Sequence, residues 1–263
     1  MPTTEHVPPA APGAALAAGL HGGWFVQLAE LRSRAVKAVA SVVIAFVCLV
    51  PFARHLYGWL AEPLVRRLPR GAHLIATEVT SPFLTPLKFA LYIAFFLSAP
   101  VIVYQVWAFV SPGLYRHEKR LARPLLFASL TLFYAGCAFA YFLVLPATFR
   151  FLTLMVPAGV EMMTDIAHYL DFVMMVFFAF GLCFEIPVIE VVLAATGLAN
   201  LQTLRSWRRY AIVAAAAIAA MITPPDMTSM LLLLVPMVLL YELGLLAVRV
   251  MVKPAPVQPA APG

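Results

Sequence analysis

Hydrophobic and polar positions along this chain segregate into long blocks instead of alternating. Six apolar stretches stand out, at roughly 35–53, 84–110, 122–145, 168–195, 210–222 and 229–248. An uninterrupted apolar run of about 20 residues predicts a helix that crosses a hydrocarbon core ~30 Å thick. The first four stretches meet that length. The fifth falls short, because its 13 residues at ~1.5 Å each reach only ~20 Å, and the sixth is barely sufficient. Between the last two lies Thr223-Pro224-Pro225-Asp226; paired prolines forbid a continuous helix and favour a tight turn. The pattern therefore predicts a short C-terminal hairpin, which either thins the bilayer around it or is shielded by neighbouring helices.

Composition sharpens this picture. Of the 263 residues, 63% are hydrophobic and only 11% charged, against about a quarter charged in soluble domains. Water would not cover such a surface, so the bilayer is the expected solvent. The net charge of +6 sits between apolar runs as a topology signal, and no nucleic-acid role is expected. With the N-terminus in the cytoplasm, four basic groups fall inside: Arg32, Arg34 and Lys37; Arg116, Lys119, Arg120 and Arg123; Arg205, Arg208 and Arg209; Arg249 and Lys253. Outside fall Arg54, Arg66, Arg67, Arg70, Lys88 and Arg150. The inside majority favours N-in/C-in.

The expected domain plan is a disordered Ala/Pro/Gly-rich tail over 1–23, one membrane domain over 24–250, and a disordered tail over 251–263. The external loops 54–83 and 146–167 carry Pro63, Pro69, Pro82, Pro146 and Pro157 and are expected to form an ordered cap. Cys48, Cys137 and Cys183 lie in apolar runs without metal-ligand spacing and read as small core hydrophobes.

No HExxH, GxSxG, Walker loop or Cys-His cluster occurs, so neither an enzyme nor a metal or cofactor site is expected. The informative residues are carboxylates. Glu30 opens the first helix within Glu30-Leu31-Arg32-Ser33-Arg34, and its plainest role is an i,i+4 pair with Arg34. Glu118 sits among Arg116, His117, Lys119 and Arg120, where it balances charge. Glu185 lies deep in the fourth stretch beside Pro187; an intramembrane acid is a functional candidate by default, and the proline is expected to kink the helix. Glu190 lies about 140° further around the helix and does not share that face. Glu242, near the end of the last stretch, is expected to snorkel toward water.

Taken in order, several segments resemble one family. Ser98-Ala99-Pro100-Val101-Ile102-Val103-Tyr104-Gln105-Val106-Trp107-Ala108-Phe109 and Ser111-Pro112-Gly113-Leu114-Tyr115-Arg116-His117-Glu118-Lys119-Arg120 are similar to the second-helix and first-cytoplasmic-loop signature of TatC, the multi-spanning subunit of twin-arginine translocases. Ile75–Phe83, Phe139–Phe142, Phe184-Glu185-Ile186-Pro187 and Thr223-Pro224-Pro225-Asp226 resemble further TatC segments, in register over about 24–250.

The resemblance implies an all-α, glove-shaped protein of the bacterial cytoplasmic membrane. It would have six transmembrane helices with the last two short, and would move folded proteins using the proton-motive force. It implies TatA- and TatB-type single-span partners, twin-arginine signal peptides as ligands, and homo-oligomers in a receptor complex. The family's signal acceptors fall on Glu30 and Glu118, with Arg32 in support and Arg120 beside Glu118. Its intramembrane acid falls on Glu185, and Thr223 matches part of the partner-helix surface. Pro63, Pro82, Pro100, Pro187, Pro225 and Asp226 fall on structural or cap positions. Paired arginines suit carboxylates, because a planar guanidinium donates two bonds where lysine offers a point charge. Three positions depart from the pattern: Gln27 stands where His is frequent, Met230 where Gln is common, and Glu190 has no family counterpart. The competing reading is an ion-coupled small-solute transporter using Glu185 and Glu190.

Overall fold

The computed structural model describes residues 12–58, 74–110, 122–155, 164–222 and 227–252. The described chain is helical apart from two two-residue strands and short turns at 76–80, 184–185 and 196–200. Helix α1 spans Pro12–Leu49 and continues through a 3₁₀ turn at Val50–Phe52, where Pro51 supplies no N–H to an α-ladder. The helix starts at Pro12, and the Ala- and Leu-rich stretch from Ala14 has high helix propensity.

Strand β1 is Leu74–Ile75, followed by α2 at Ser81–Val110. Pro82 is the second residue of α2, where its missing N–H has no partner to lose. Helix α3 is Ala122–Phe139 and passes through a π-turn at Ala140–Val144 into α4, Leu145–Met155. The wide turn comes immediately before Pro146, whose ring would clash with the carbonyl one α-turn back. Strand β2, Thr164–Asp165, pairs in parallel with β1.

The expected kink in the fourth apolar stretch is a break. Helix α5 is Ile166–Cys183 and α6 is Ile186–Ala195, with a turn at Phe184-Glu185 because Pro187 contributes no donor. The amide of Glu185 donates instead to the Leu182 carbonyl (3.0 Å). Gly197, at φ 75°, closes α6 in the left-handed conformation. Asn200 then caps the next helix, its side chain accepting from the Thr203 amide (2.7 Å).

The last two helices are α7, Leu201–Ile222, and α8, Met227–Met251. At 22 residues, α7 is longer than its apolar stretch, because the polar run Gln202–Arg209 is helical as well. Met227 and Thr228 likewise lengthen α8 ahead of the apolar sixth stretch.

Among the described residues, five helices are long and apolar enough to cross a membrane: Ala29–Gly58, Ser81–Val110, Ala122–Phe151, Ile166–Ala195 and Leu233–Met251. Val36, Val39, Val43, Ile44 and Val47 of α1 are exposed, a surface that hydrocarbon covers without penalty.

Helix α1 packs on α2, α3 on α5, and α8 on both α6 and α7. One apolar core gathers Phe89, Val144, Leu170, Val173, Val176, Phe180 and Leu233; a second gathers Trp107, Leu125, Val188, Leu204, Tyr241 and Leu245. The seam between α3 and α5 is narrowest at Gly136, where a Cβ would lie 2.5 Å from the Phe180 carbonyl oxygen. Rings close around it, with Phe139 5.5 Å from both Phe180 and Phe184, centroid to centroid.

Candidate functional site

Glu30 lies on α1 one turn before Arg34, and the i,i+4 spacing brings the two side chains together. Arg34 Nε donates to Glu30 Oε1 at 3.1 Å, and an Arg34 terminal nitrogen donates to the same oxygen. This pair borders a cavity of about 290 Å³, lined by Glu30, Ser33, Arg34 and Lys37 of α1 and by Tyr104 and Gln105 of α2. Glu30 does not open α1, which begins at Pro12; the middle of α1 meets the end of α2 here, while Tyr57 beyond the end of α1 meets Phe89 near the start of α2 (ring centroids 6.3 Å apart), so the two helices run antiparallel. Arg32 is exposed, on a different face from the pair. Glu118 and Arg120 lie outside the described residues.

Glu185, the final residue of the turn between α5 and α6, accepts a hydrogen bond from Ser129 Oγ of α3 at 2.7 Å, while its Oε1 has no partner among the described residues. Ser129 belongs to a buried stripe on α3 with Leu125, Phe133 and Gly136. Gly136 sets the close approach that lets Ser129 reach across.

Glu190 points elsewhere. It is 3% exposed, neither of its oxygens has a hydrogen-bond partner among the described residues, and it fills the space over Gly244 of α8, where a Cβ would lie 2.7 Å from its carboxyl. The two acids are thus supported by different helices, as their angular separation predicts. Two residues before Gly244 on α8, Glu242 pairs with Arg208 of α7 at 2.6 Å. That partially exposed pair fits the snorkelling expected of Glu242.

At the opposite end of the α1–α2 pair, Asp165 ties together the segments that precede α2 and α5. Its carboxylate caps α5 by accepting from the amides of Ala167 (2.8 Å) and His168 (3.1 Å). It also accepts from the Thr77 amide (2.9 Å) and hydroxyl (2.6 Å). The Thr77 hydroxyl, with the Thr77 and His168 amides, holds this carboxyl far below the usual carboxylate range. Of the loops expected to form a cap, much of each lies outside the described residues; the described parts, at 74–77 and 164–165, meet in this strand-and-carboxylate clasp.

Pro82 and Pro100 are exposed on α2, and Pro187 is buried at the start of α6. Pro63, Thr223, Pro225 and Asp226 lie outside the described residues. Among those described, no group of His, Cys, Asp or Glu is arranged to hold a metal ion.

Sequence reasoning missed Ser129, Gly244, Thr77 and the Tyr104-Gln105 wall. Ser129 had a signal, since Leu125, Ser129, Phe133 and Gly136 recur every three or four positions on one helical face. The others had none, because each acts across helices distant in sequence.

Residues 27–236 match the family described as Sec-independent protein translocase protein (TatC). The TatC of Haemophilus influenzae is 49% identical over 223 residues, covering 85% of this chain and 87% of that protein. The TatC of Escherichia coli (strain K12) is also 49% identical, with 83% and 84% covered. A crystal structure of the twin-arginine translocase receptor TatC superimposes with a TM-score of 0.75 at 34% identity, covering 86% of this chain and all of that one.

Proposed function

The chain belongs to the TatC family of Sec-independent protein translocases, and from that membership we propose that it is the signal-receiving core of a twin-arginine translocase. Membership makes it a multi-pass membrane component of protein transport. The proposal adds the ligand and the site: adjacent arginines of a signal peptide docking on Glu30 and Glu118, with Arg32 and Arg120 alongside, at the cytoplasmic end of α1 and α2. The observation that carries it is the state of Glu30, whose carboxylate already receives a guanidinium in a polar cavity open to solvent. That geometry is what a second guanidinium requires.

The rest of the proposal follows the family. Six crossings place both termini in the cytoplasm, with residues 24–250 as a glove-shaped domain in the bacterial inner membrane. TatA- and TatB-type helices contact Glu185 and Thr223, receptor complexes contain several copies, and the proton-motive force drives non-enzymatic export of folded precursors. The coupled-transporter alternative is not favoured, since Glu185 and Glu190 face different helices.

The test is transport by inverted membrane vesicles. Glu30→Lys and Glu118→Lys variants that insert normally are expected to lose export of twin-arginine precursors. Export at wild-type rates by both would overturn the proposal.

A further inference from the structure

Helix α7 carries positive charge that the described residues do not balance. Between Leu201 and Ile222 it has three arginines and no acid. Arg208 is committed to Glu242 of α8. Arg205 has no ion pair among the described residues. Arg209 is steadied by its neighbour: it donates to the Tyr210 hydroxyl at 3.0 Å, and its guanidinium carbon lies 4.8 Å from the ring centroid. A phenol holds a guanidinium in place without neutralising it. Arg205 and Arg209 therefore remain uncompensated, and both are exposed.

Their placement says what meets them. Four residues apart, Arg205 and Arg209 lie on one face of the helix with Cβ atoms about 5–6 Å from each other. The same face continues through Val213 to Met221, both exposed, so the two cations stand directly above an apolar surface suited to hydrocarbon. Trp207 and Tyr210 are exposed at the level of the arginines, and such rings settle among lipid headgroups. A soluble acidic partner would engage the arginines but leaves the apolar surface below them without a role. A phospholipid has both parts in the order found here, phosphate and then acyl chain.

We propose that this face of α7 is a binding surface for an anionic phospholipid, its phosphate held by Arg205 and Arg209 and an acyl chain laid along Val213 and Met221. The planar guanidinium fork matches two phosphate oxygens at once. Arg209, already steadied by Tyr210, loses less side-chain freedom on binding than a free arginine would. Phosphatidylcholine offers the same phosphate, but its own cation offsets the charge. A net-anionic headgroup carries no such offset, so the uncompensated pair favours it. A lipid held at that level fixes the depth of the short apolar stretch of α7. The inference is independent of how signal peptides dock at Glu30.

The experiment titrates the full chain in detergent with phosphatidylglycerol or phosphatidylcholine and reads bound lipid by native mass spectrometry. The wild-type chain is expected to retain phosphatidylglycerol in preference. Arg205→Gln or Arg209→Gln should weaken that retention about fivefold each, the factor for one basic residue at an anionic leaflet, while Arg150→Gln on α4 leaves it unchanged. Arg209→Lys keeps the charge without the fork and should lose less; with the single glutamine variants it answers the question if the double variant does not fold. Equal retention of both lipids by the wild type, or undiminished retention by both glutamine variants, would overturn the proposal. So would displacement of phosphatidylglycerol by an equal concentration of inorganic phosphate, which would mark a site for free anions, or variants that keep the lipid and lose only association between protein chains, which would mark a protein interface.

Discussion

Replacing Gly136 with alanine tests the packing that holds Glu185 in place. The added methyl would lie 2.5 Å from the Phe180 carbonyl oxygen, and 3.0 Å from both the Phe180 carbonyl carbon and Phe184 Cβ. Ordinary contact begins near 3.4 Å, so α3 and α5 must part by about 0.9 Å. The obstruction is backbone, which cannot swing aside. A gap of that size forfeits about a quarter to a half of each dispersion contact along the seam, including the Phe139 stacking on Phe180 and Phe184. Overpacking costs about 1–3 kcal/mol, and the backbone obstruction places this site near the upper end. Alanine's better helix propensity returns at most about 1 kcal/mol, leaving a net loss of about 2 kcal/mol.

Two other glycines calibrate the series. At Gly181 a methyl meets the Phe133 ring edge at 2.9 Å, which rotates away, so the loss should be about 1 kcal/mol. At Gly58 nothing lies within 4 Å, and alanine should be neutral or slightly stabilising. Reversible unfolding in mixed micelles, followed by tryptophan fluorescence, reads the order. A Gly136→Ala protein as stable as Gly58→Ala would refute the close-packed seam.

Ser129→Ala removes the one hydrogen bond that the Glu185 carboxyl accepts in the described structure; stranding that acceptor should cost about 1–3 kcal/mol in the same assay, with Ser129→Thr costing less. Glu190→Met should stabilise the fold by about 1–3 kcal/mol, because it fills the same space and removes a buried group with two unpartnered oxygens; destabilisation would show that Glu190 has an interaction beyond those described. Asp165→Asn should speed hydrogen exchange of the Thr77 amide several-fold at neutral pH. Since the folded carboxyl titrates far below its unfolded value, the clasp's contribution is full above the usual aspartate range and persists as pH falls through it. It is lost only in stronger acid, so wild-type protection that collapses near pH 4 would contradict the assigned contacts.

Most of the helical plan was legible because lipid imposes an unambiguous rule: apolar length maps onto crossing length. Four long stretches became α1, α2, the α3–α4 pair and the α5–α6 pair, and Pro187 announced the break between the last two. Local pairings were also legible, Glu30 with Arg34 foremost, since helix geometry alone brings residues four apart together. Contacts between helices were not. Thr77 meets Asp165 across 88 positions and Ser129 meets Glu185 across 56, and neither serine nor threonine carries a pattern that names its partner. Glu190 was equally opaque, because the glycine that makes room for it lies two helices away.

The C-terminal hairpin shows why helix length and membrane span are separate quantities. Helix α7 has 22 residues, enough for ~33 Å of rise, yet its first part carries Arg205, Arg208 and Arg209, all exposed. Charges of that density remain in water or among headgroups. Only the stretch from Tyr210 onward is apolar, and it still reaches only ~20 Å. Lengthening the helix therefore does not lengthen the crossing; it raises a polar stalk above a short apolar one. The pair between Arg208 and Glu242 ties that stalk to α8. A bilayer matched only to the apolar part of α7 would thin beside it, so the expectation of local thinning depends on where these charges sit and not on how far the helix extends.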